Sequence, residues 1–157
     1  MADEKEPERR ERPNAGPKVL PIPSHTDDRG RLRQVLGSYP DEFPGVERAY
    51  VVGNFGKGTI RGFHMHRAEW KAYHVLRGAA KFIVVSESSD ERQSFVLSES
   101  EALVLVVPPT YYHGWVSLTD DTLLVGLSNR SLKESEADDY RIDPMKFGPG
   151  IWEVKAR

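Results

Sequence analysis

The sequence predicts an all-β fold, a sandwich or barrel of short antiparallel strands, on three observations. Nine short apolar runs rich in Val, Ile, Tyr and Phe follow one another between residues 31 and 128. Glycine or polar turns separate them at strand-like spacing. No long window keeps apolar residues at i, i+3, i+4 and i+7, so helices are not the main material.

In chain order, residues 1–17 come first, a stretch of mixed charges with three prolines and nothing to bury. Such a segment cannot offset its ordering entropy and reads as a disordered leader. It has no apolar stretch of the kind a secretory signal carries. The predicted strands are RLRQVL (31–36), VERAYVVG (46–53), TIRGFHMH (59–66), KAYHVLRG (71–78) and AKFIVV (80–85). QSFVL (93–97), ALVLVV (102–107), YYHGWVSL (111–118) and TLLVGLS (122–128) complete the set. Only LKESEADDY (132–140) reads as helical, and its Asp138–Asp139 pair reads as a solvated acidic turn.

The 157 residues suit one domain, over 18–157, beyond the leader. Lys plus Arg is 22 against 24 for Asp plus Glu, a net charge of −2. That near-balance argues against a nucleic-acid partner, which needs a basic field. Cysteine is absent, which excludes disulfides, thiolate metal sites and a cysteine nucleophile. The longest apolar run, Ala102 to Val107, is far short of the roughly 20 residues that cross a bilayer. A soluble, cytoplasmic protein with no membrane partner is expected.

Two clusters carry chemistry. In Gly58-Thr-Ile-Arg-Gly-Phe-His64-Met-His66, strand alternation sends both histidines to one face and Met65 to the other. Paired imidazoles on one face suit a metal site or a proton-transfer site. Downstream, Pro108-Pro109-Thr110-Tyr111-Tyr112-His113-Gly114 makes a stiff turn that delivers His113 onto the next strand.

Together these lines resemble the cupin superfamily, whose fold is a double-stranded β-helix, or jelly roll. Its first motif reads Gly58, His64-x-His66, Lys71 and Gly78, with lysine in the place of the metal-binding glutamate. Its second, Pro-x-Gly-x-x-His, reads Pro108 to His113, with threonine in the place of glycine. An ammonium in a ligand ring repels a divalent cation, so no required metal is expected. Within the superfamily, Asp28-Arg29-Gly30, Arg61-Gly62-Phe63-His64 and Pro108 to Gly114 resemble the dTDP-4-keto-6-deoxyhexose enzymes. Lys71 and the Pro-Pro-to-His-Gly segment are shared with the 3,5-epimerases of the dTDP-4-dehydrorhamnose type. The chain lacks their tyrosine after Ser128, where Ser131 is nearest, and ends before the segment that supplies an aspartate to their catalytic histidine. Arg48-Ala-Tyr50 with His64-x-His66 matches the 3,4-ketoisomerases.

The resemblance implies a cofactor-independent epimerase or isomerase of a nucleotide-diphospho-4-keto-6-deoxyhexose. It removes a proton alpha to the C4 ketone, passes through an enolate and returns the proton elsewhere. Nicotinamide and flavin are not required, since no net electrons move. His64 is the expected base, titrating near neutrality without special tuning. His66 is the second proton carrier, Tyr50 the acid that protonates the intermediate, and Lys71 the electrophilic partner of the enolate. Arg29, Arg61 and Arg48 are the candidates for the diphosphate, because guanidinium groups bind phosphate oxygens bidentately. Tyr111 and His113 are the remaining candidates on the substrate. His74 faces the opposite layer from Lys71 and reads as structural, as do Trp70, Trp115 and Trp152. A homodimer is implied, with Arg29 reaching the partner's pocket. Two rival readings stand beside this one. They are a catalytically silent sugar-nucleotide binder and a metal-dependent cupin using His64, His66 and His113.

Overall fold

The structure, a computed structural model, describes residues 16–36 and 42–156. The strands are β1 (Lys18–Pro21), β2 (Ser24–Asp27), β3 (Gly30–Arg33), β4 (Arg48–Asn54), β5 (Ile60–Met65) and β6 (Lys71–Arg77). They continue as β7 (Ala79–Ser86), β8 (Arg92–Ser98), β9 (Leu103–Val107), β10 (Tyr111–Ser117) and β11 (Thr122–Ser128). Helix α1 (Leu132–Ala137) and the two-residue strand β12 (Tyr140–Arg141) follow. Two five-stranded antiparallel sheets face each other, in the orders β1-β9-β6-β11-β4 and β12-β5-β10-β7-β8. A separate hairpin joins β2 to β3. This is the predicted all-β jelly roll.

Period-two alternation explains the layers. Tyr73 and Val75 of β6 meet Phe82 and Val84 of β7 and Trp115 of β10 in the core between the sheets. The intervening residues turn outward. Ala72, Val104, Val106 and Leu127 pack beneath Ile22 and Phe43 on the first sheet's outer face. Phe63, Ile83, Val85 and Val116 pack beneath Trp152 on the second's. Trp152 lies 4.9 Å from Phe63, ring centre to ring centre. His74 faces outward and its Nδ1 meets the Leu103 carbonyl at 2.7 Å, a structural role.

The structure adds β1 and β2 ahead of the first predicted run and differs from the sequence reading elsewhere as well. The run at 31–36 is strand only to Arg33, because the Gln34 N–H turns to the Pro23 carbonyl and Leu36 adopts a φ of 59°. The helix ends at Ala137, held at its start by a reciprocal pair between Ser131 and Glu134. The chain then bends back to add β12 to the edge of β5. Of the leader expected over 1–17, residues 1–15 lie outside the described residues.

Candidate functional site

Between the sheets, at one end of the sandwich, lies a cavity of about 400 Å³. Tyr50 and Tyr73 line it from the first sheet, and Arg61, His64 and His113 from the second. Arg141, Ile142 and Pro144 close it from the C-terminal segment.

Close approach of β5 and β10 positions the two cavity histidines. His113 is in register with His64, and their rings are 4.6 Å apart. Next to them a Cβ on Gly62 would come within 2.5 Å of the Gly114 Cα, and Gly62 has a φ of 128°. Only glycine meets both conditions. Arg61, one residue earlier, is anchored by its Nε on Asn54 Oδ1 at 2.6 Å and by Nη2 on the Gly53 carbonyl at 3.2 Å.

His64 has an aspartate beside it. Pairing of β12 with β5 puts Arg141 in register with His64. The preceding residue pair does two jobs. The Asp138 carboxylate accepts from the backbone N–H groups of Arg67 and Ala68, and Asp139 Oδ1 lies 3.6 Å from His64 Nδ1. Asp138–Asp139 is therefore not a solvated turn, because strand addition carries it into the site. An aspartate from the C-terminal segment does lie beside the histidine in this chain, short of a hydrogen bond. Burial chiefly, with His66 and Lys71 adding to it, pushes His64 down to about 4, so the ring is neutral at pH 7.

His66 follows the end of β5. It is buried, and its Nδ1 donates to the Asp138 carbonyl at 2.6 Å, with Glu69 Oε2 at 3.1 Å. Its ring stands 5.4 Å from that of His64, while its Nε2 has no hydrogen-bond partner. Burial lowers its pKa, with the Glu69 carboxylate opposing.

Behind this wall sits a buried charge cluster centred on Glu69, which the sequence did not single out. Its Oε1 takes Lys71 Nζ at 2.6 Å, Arg48 Nη2 at 3.0 Å and the Ser128 hydroxyl. Burial works to raise the Glu69 carboxyl. The hydrogen bonds from Lys71, Ser128 and Ser135 outweigh it and hold the group at about 2. Lys71 Nζ and the Arg48 guanidinium also lie 5.2 and 5.1 Å from the centre of the Tyr50 ring. Burial raises the Tyr50 phenol and the Glu69 carboxylate adds to the rise, while the hydrogen bond to Tyr73 and the Arg48 charge work against it.

The hydroxyls form a chain. Tyr73 is 2.9 Å from His113 Nε2, and the Tyr50 hydroxyl is 3.5 Å from that of Tyr73. His113 Nδ1 donates to the Tyr111 carbonyl at 3.1 Å, so Nε2 accepts from Tyr73. Burial chiefly pushes His113 well below its ordinary value and raises Tyr50 and Tyr73. Room for Tyr50 comes from Gly126 opposite it on β11, where any Cβ would overlap the ring.

The structure thus brings His64, Tyr50, Arg61 and His113 to one cavity, with His66 immediately behind. Lys71 and Arg48 are not on its wall. They stand beneath Tyr50, committed to Glu69, which puts Lys71 behind that ring rather than in the cavity as an electrophilic partner. Tyr111 packs its ring on the inner core. Arg29 is on the exposed β2–β3 turn, paired with Asp27. Glu69, Tyr73, Asp139 and Arg141 were missed. Tyr73 reads as a core aromatic, and the others sit in polar segments whose pairing no local pattern announces. His64, His66 and Asp139 each offer one ligand atom within 4.8 Å of the others, whereas both nitrogens of His113 are spent. Among the described residues no helix is long and apolar enough to cross a membrane.

A family model described as the polysaccharide biosynthesis C-terminal domain matches residues 25–140. Among curated proteins nothing matches the chain. Solved structures share its fold. The sugar 3,4-ketoisomerase QdtA from Thermoanaerobacterium thermosaccharolyticum, in complex with TDP, superposes with a TM-score of 0.70 at 19% identity. The match covers 81% of this chain and 88% of that one. The dTDP-4-dehydrorhamnose 3,5-epimerase of Bacillus anthracis str. Ames, with TDP and PPi bound, gives 0.72 at 22% identity, over 89% and 86%. The rmlC epimerase of Mycobacterium tuberculosis gives 0.73 at 18%, over 83% and 70%.

Proposed function

The chain belongs to the polysaccharide biosynthesis C-terminal domain family, and on that premise we propose that it is an isomerase of a dTDP-4-keto-6-deoxyhexose working by proton transfer. The observation that carries this reading is the facing of two proton-transfer groups across one cavity. On one wall is a neutral histidine beside an aspartate, and on the other a tyrosine backed by two cations. The solved structures of this fold that carry TDP support the substrate class.

In this reading Asp139 takes the Nδ1–H of His64 and leaves Nε2 to remove the proton alpha to the C4 ketone. That assignment uses His64 in the form the site already favours. The enolate forms between the walls. Tyr50 returns a proton from the opposite side, its phenolate then resting over Lys71 and Arg48. Delivery from the opposite wall inverts the carbon, so epimerisation is the outcome this arrangement favours over a ketone shift. Arg61, fixed by Asn54 and Gly53, and Arg141 at the cavity wall receive the diphosphate. No step needs a nicotinamide, a flavin or a metal. Two copies form the working unit, with Arg29 exposed on its hairpin to reach the second copy, and sedimentation checks that stoichiometry.

Incubation of the protein with dTDP-4-keto-6-deoxyglucose, followed by product analysis, tests the reading. A sugar of equal mass and altered configuration at a carbon next to C4 is expected. His64→Ala lowers its rate by about 100-fold or more, the typical weight of a positioned general base. Binding of the sugar nucleotide with no product at any pH would leave a silent binder and end the enzyme assignment.

A further inference from the structure

The pairing of His64 with Asp139 is not closed. Their closest approach, 3.6 Å, is beyond hydrogen-bond length. Asp139 Oδ1 is nonetheless buried and has no hydrogen-bond partner, although His64 Nδ1 stands close beside it. A buried carboxylate oxygen left unpaired is costly, and such an atom marks a partner not yet seated. The other oxygen, Oδ2, is taken by Arg141 Nε at 2.7 Å. Arg141 has a side chain three-quarters exposed and lines the cavity. In strand order it stands opposite His64 itself. One arginine therefore holds the far side of the aspartate while its guanidinium borders the space where an anionic substrate enters.

We propose that Arg141 is a latch on Asp139, a positioning residue that keeps the carboxylate off His64 while the cavity is empty and releases it when a diphosphate arrives. Phosphate oxygens compete for the guanidinium bidentately. Asp139, freed of that partner, shifts the remaining few tenths of an ångström and seats Oδ1 on Nδ1–H. The base is then held in one tautomer and one orientation only when substrate is present. This rests on the diphosphate-sugar reading above. It adds that binding at the anionic end assembles the proton-transfer pair at the other.

The test follows the Nδ1–H proton of His64 by NMR in histidine-labelled protein, where a hydrogen bond to a carboxylate moves that proton far downfield and slows its exchange. In the empty wild type the signal is absent, and saturating dTDP brings it out. Arg141→Gln shows it without any ligand, Arg141→Lys behaves as the wild type, and Asp139→Asn never shows it. Arg141 is exposed, so neither of its variants threatens folding. With substrate, Arg141→Gln raises KM several-fold with a smaller change in kcat. A downfield signal already present in the empty wild type and unmoved by dTDP would overturn the latch. Silence of empty Arg141→Gln, with wild type responding to dTDP, would overturn it equally. Failure of dTDP to bind at all would count against the substrate class. The ligand-free arm with Arg141→Gln still decides the latch in that case.

Discussion

Replacing Glu69 by glutamine keeps the shape of the side chain and removes the anion at the centre of a cluster that holds two cations. Glu69 is 2% exposed and Lys71 3%, so water cannot take over the lost charge. Its Oε1 faces Lys71 Nζ at 2.6 Å and Arg48 Nη2 at 3.0 Å. Breaking a buried pair by removing one partner costs about 3–5 kcal/mol, because the remaining charge is left uncompensated. The shift of the carboxyl has the same origin and a similar size. The carboxyl is held at about 2 against an ordinary 4.5, and about 1.36 kcal/mol per pKa unit makes roughly 3 kcal/mol. For a chain of this length each kcal/mol moves Tm by about 2–4 °C, so Glu69→Gln should melt roughly 6–20 °C lower. Thermal unfolding followed by circular dichroism reads this directly. The sign with pH follows from a depressed carboxyl. Its stabilisation is full above pH 4.5 and fades as pH falls toward 2, so the gap between wild type and variant narrows in acid. Adding Lys71→Met to Glu69→Gln should recover part of the loss, since a neutral pair replaces a stranded ammonium. A single variant within 1 kcal/mol of wild type at pH 7 would refute the buried-charge reasoning.

Gly126→Ala places a methyl in the space of the Tyr50 ring. We expect a stability loss of about 1–3 kcal/mol from overpacking and a fall in kcat on the order of 100-fold from displacement of the acid, read by urea unfolding and steady-state kinetics. Because His64 must be neutral to take a proton and sits at about 4 in the free protein, the acid limb of kcat/KM should fall near pH 4. A limb near 6.5 would show that burial does not govern this ring. Treatment with a chelator, followed by metal analysis and assay, should leave turnover unchanged. Loss of turnover restored by one divalent cation would transfer His64, His66 and Asp139 from proton transfer to metal binding.

The alternation of His64, Met65 and His66 could be read from the sequence because a strand has a period of two, and that period alone sets which face carries the imidazoles. The same rule put His74 on the opposite layer from Lys71. Asp139 could not be read that way. It enters the site because a two-residue strand, Tyr140–Arg141, adds to the edge of β5, and two residues leave no periodic trace. Glu69 was hidden for a related reason. One acid in the polar segment Arg67-Ala68-Glu69 reads as solvated, and only the folded chain closes β4, β6 and β11 around it. Lys71 was found by its place in a motif, but a motif fixes spacing and not depth. Depth decides that its ammonium answers Glu69 and backs Tyr50.

The central claim is that His64 removes a proton from carbon, and hydrogen exchange at carbon tests it most directly. Proton NMR of dTDP-4-keto-6-deoxyglucose in deuterium oxide with the purified protein should show deuterium entering next to the C4 ketone, at C3 or C5. That exchange should persist when Tyr50→Phe blocks product formation and vanish with His64→Ala. Exchange that survives His64→Ala, or no exchange at either carbon while the sugar nucleotide is bound, would contradict the account.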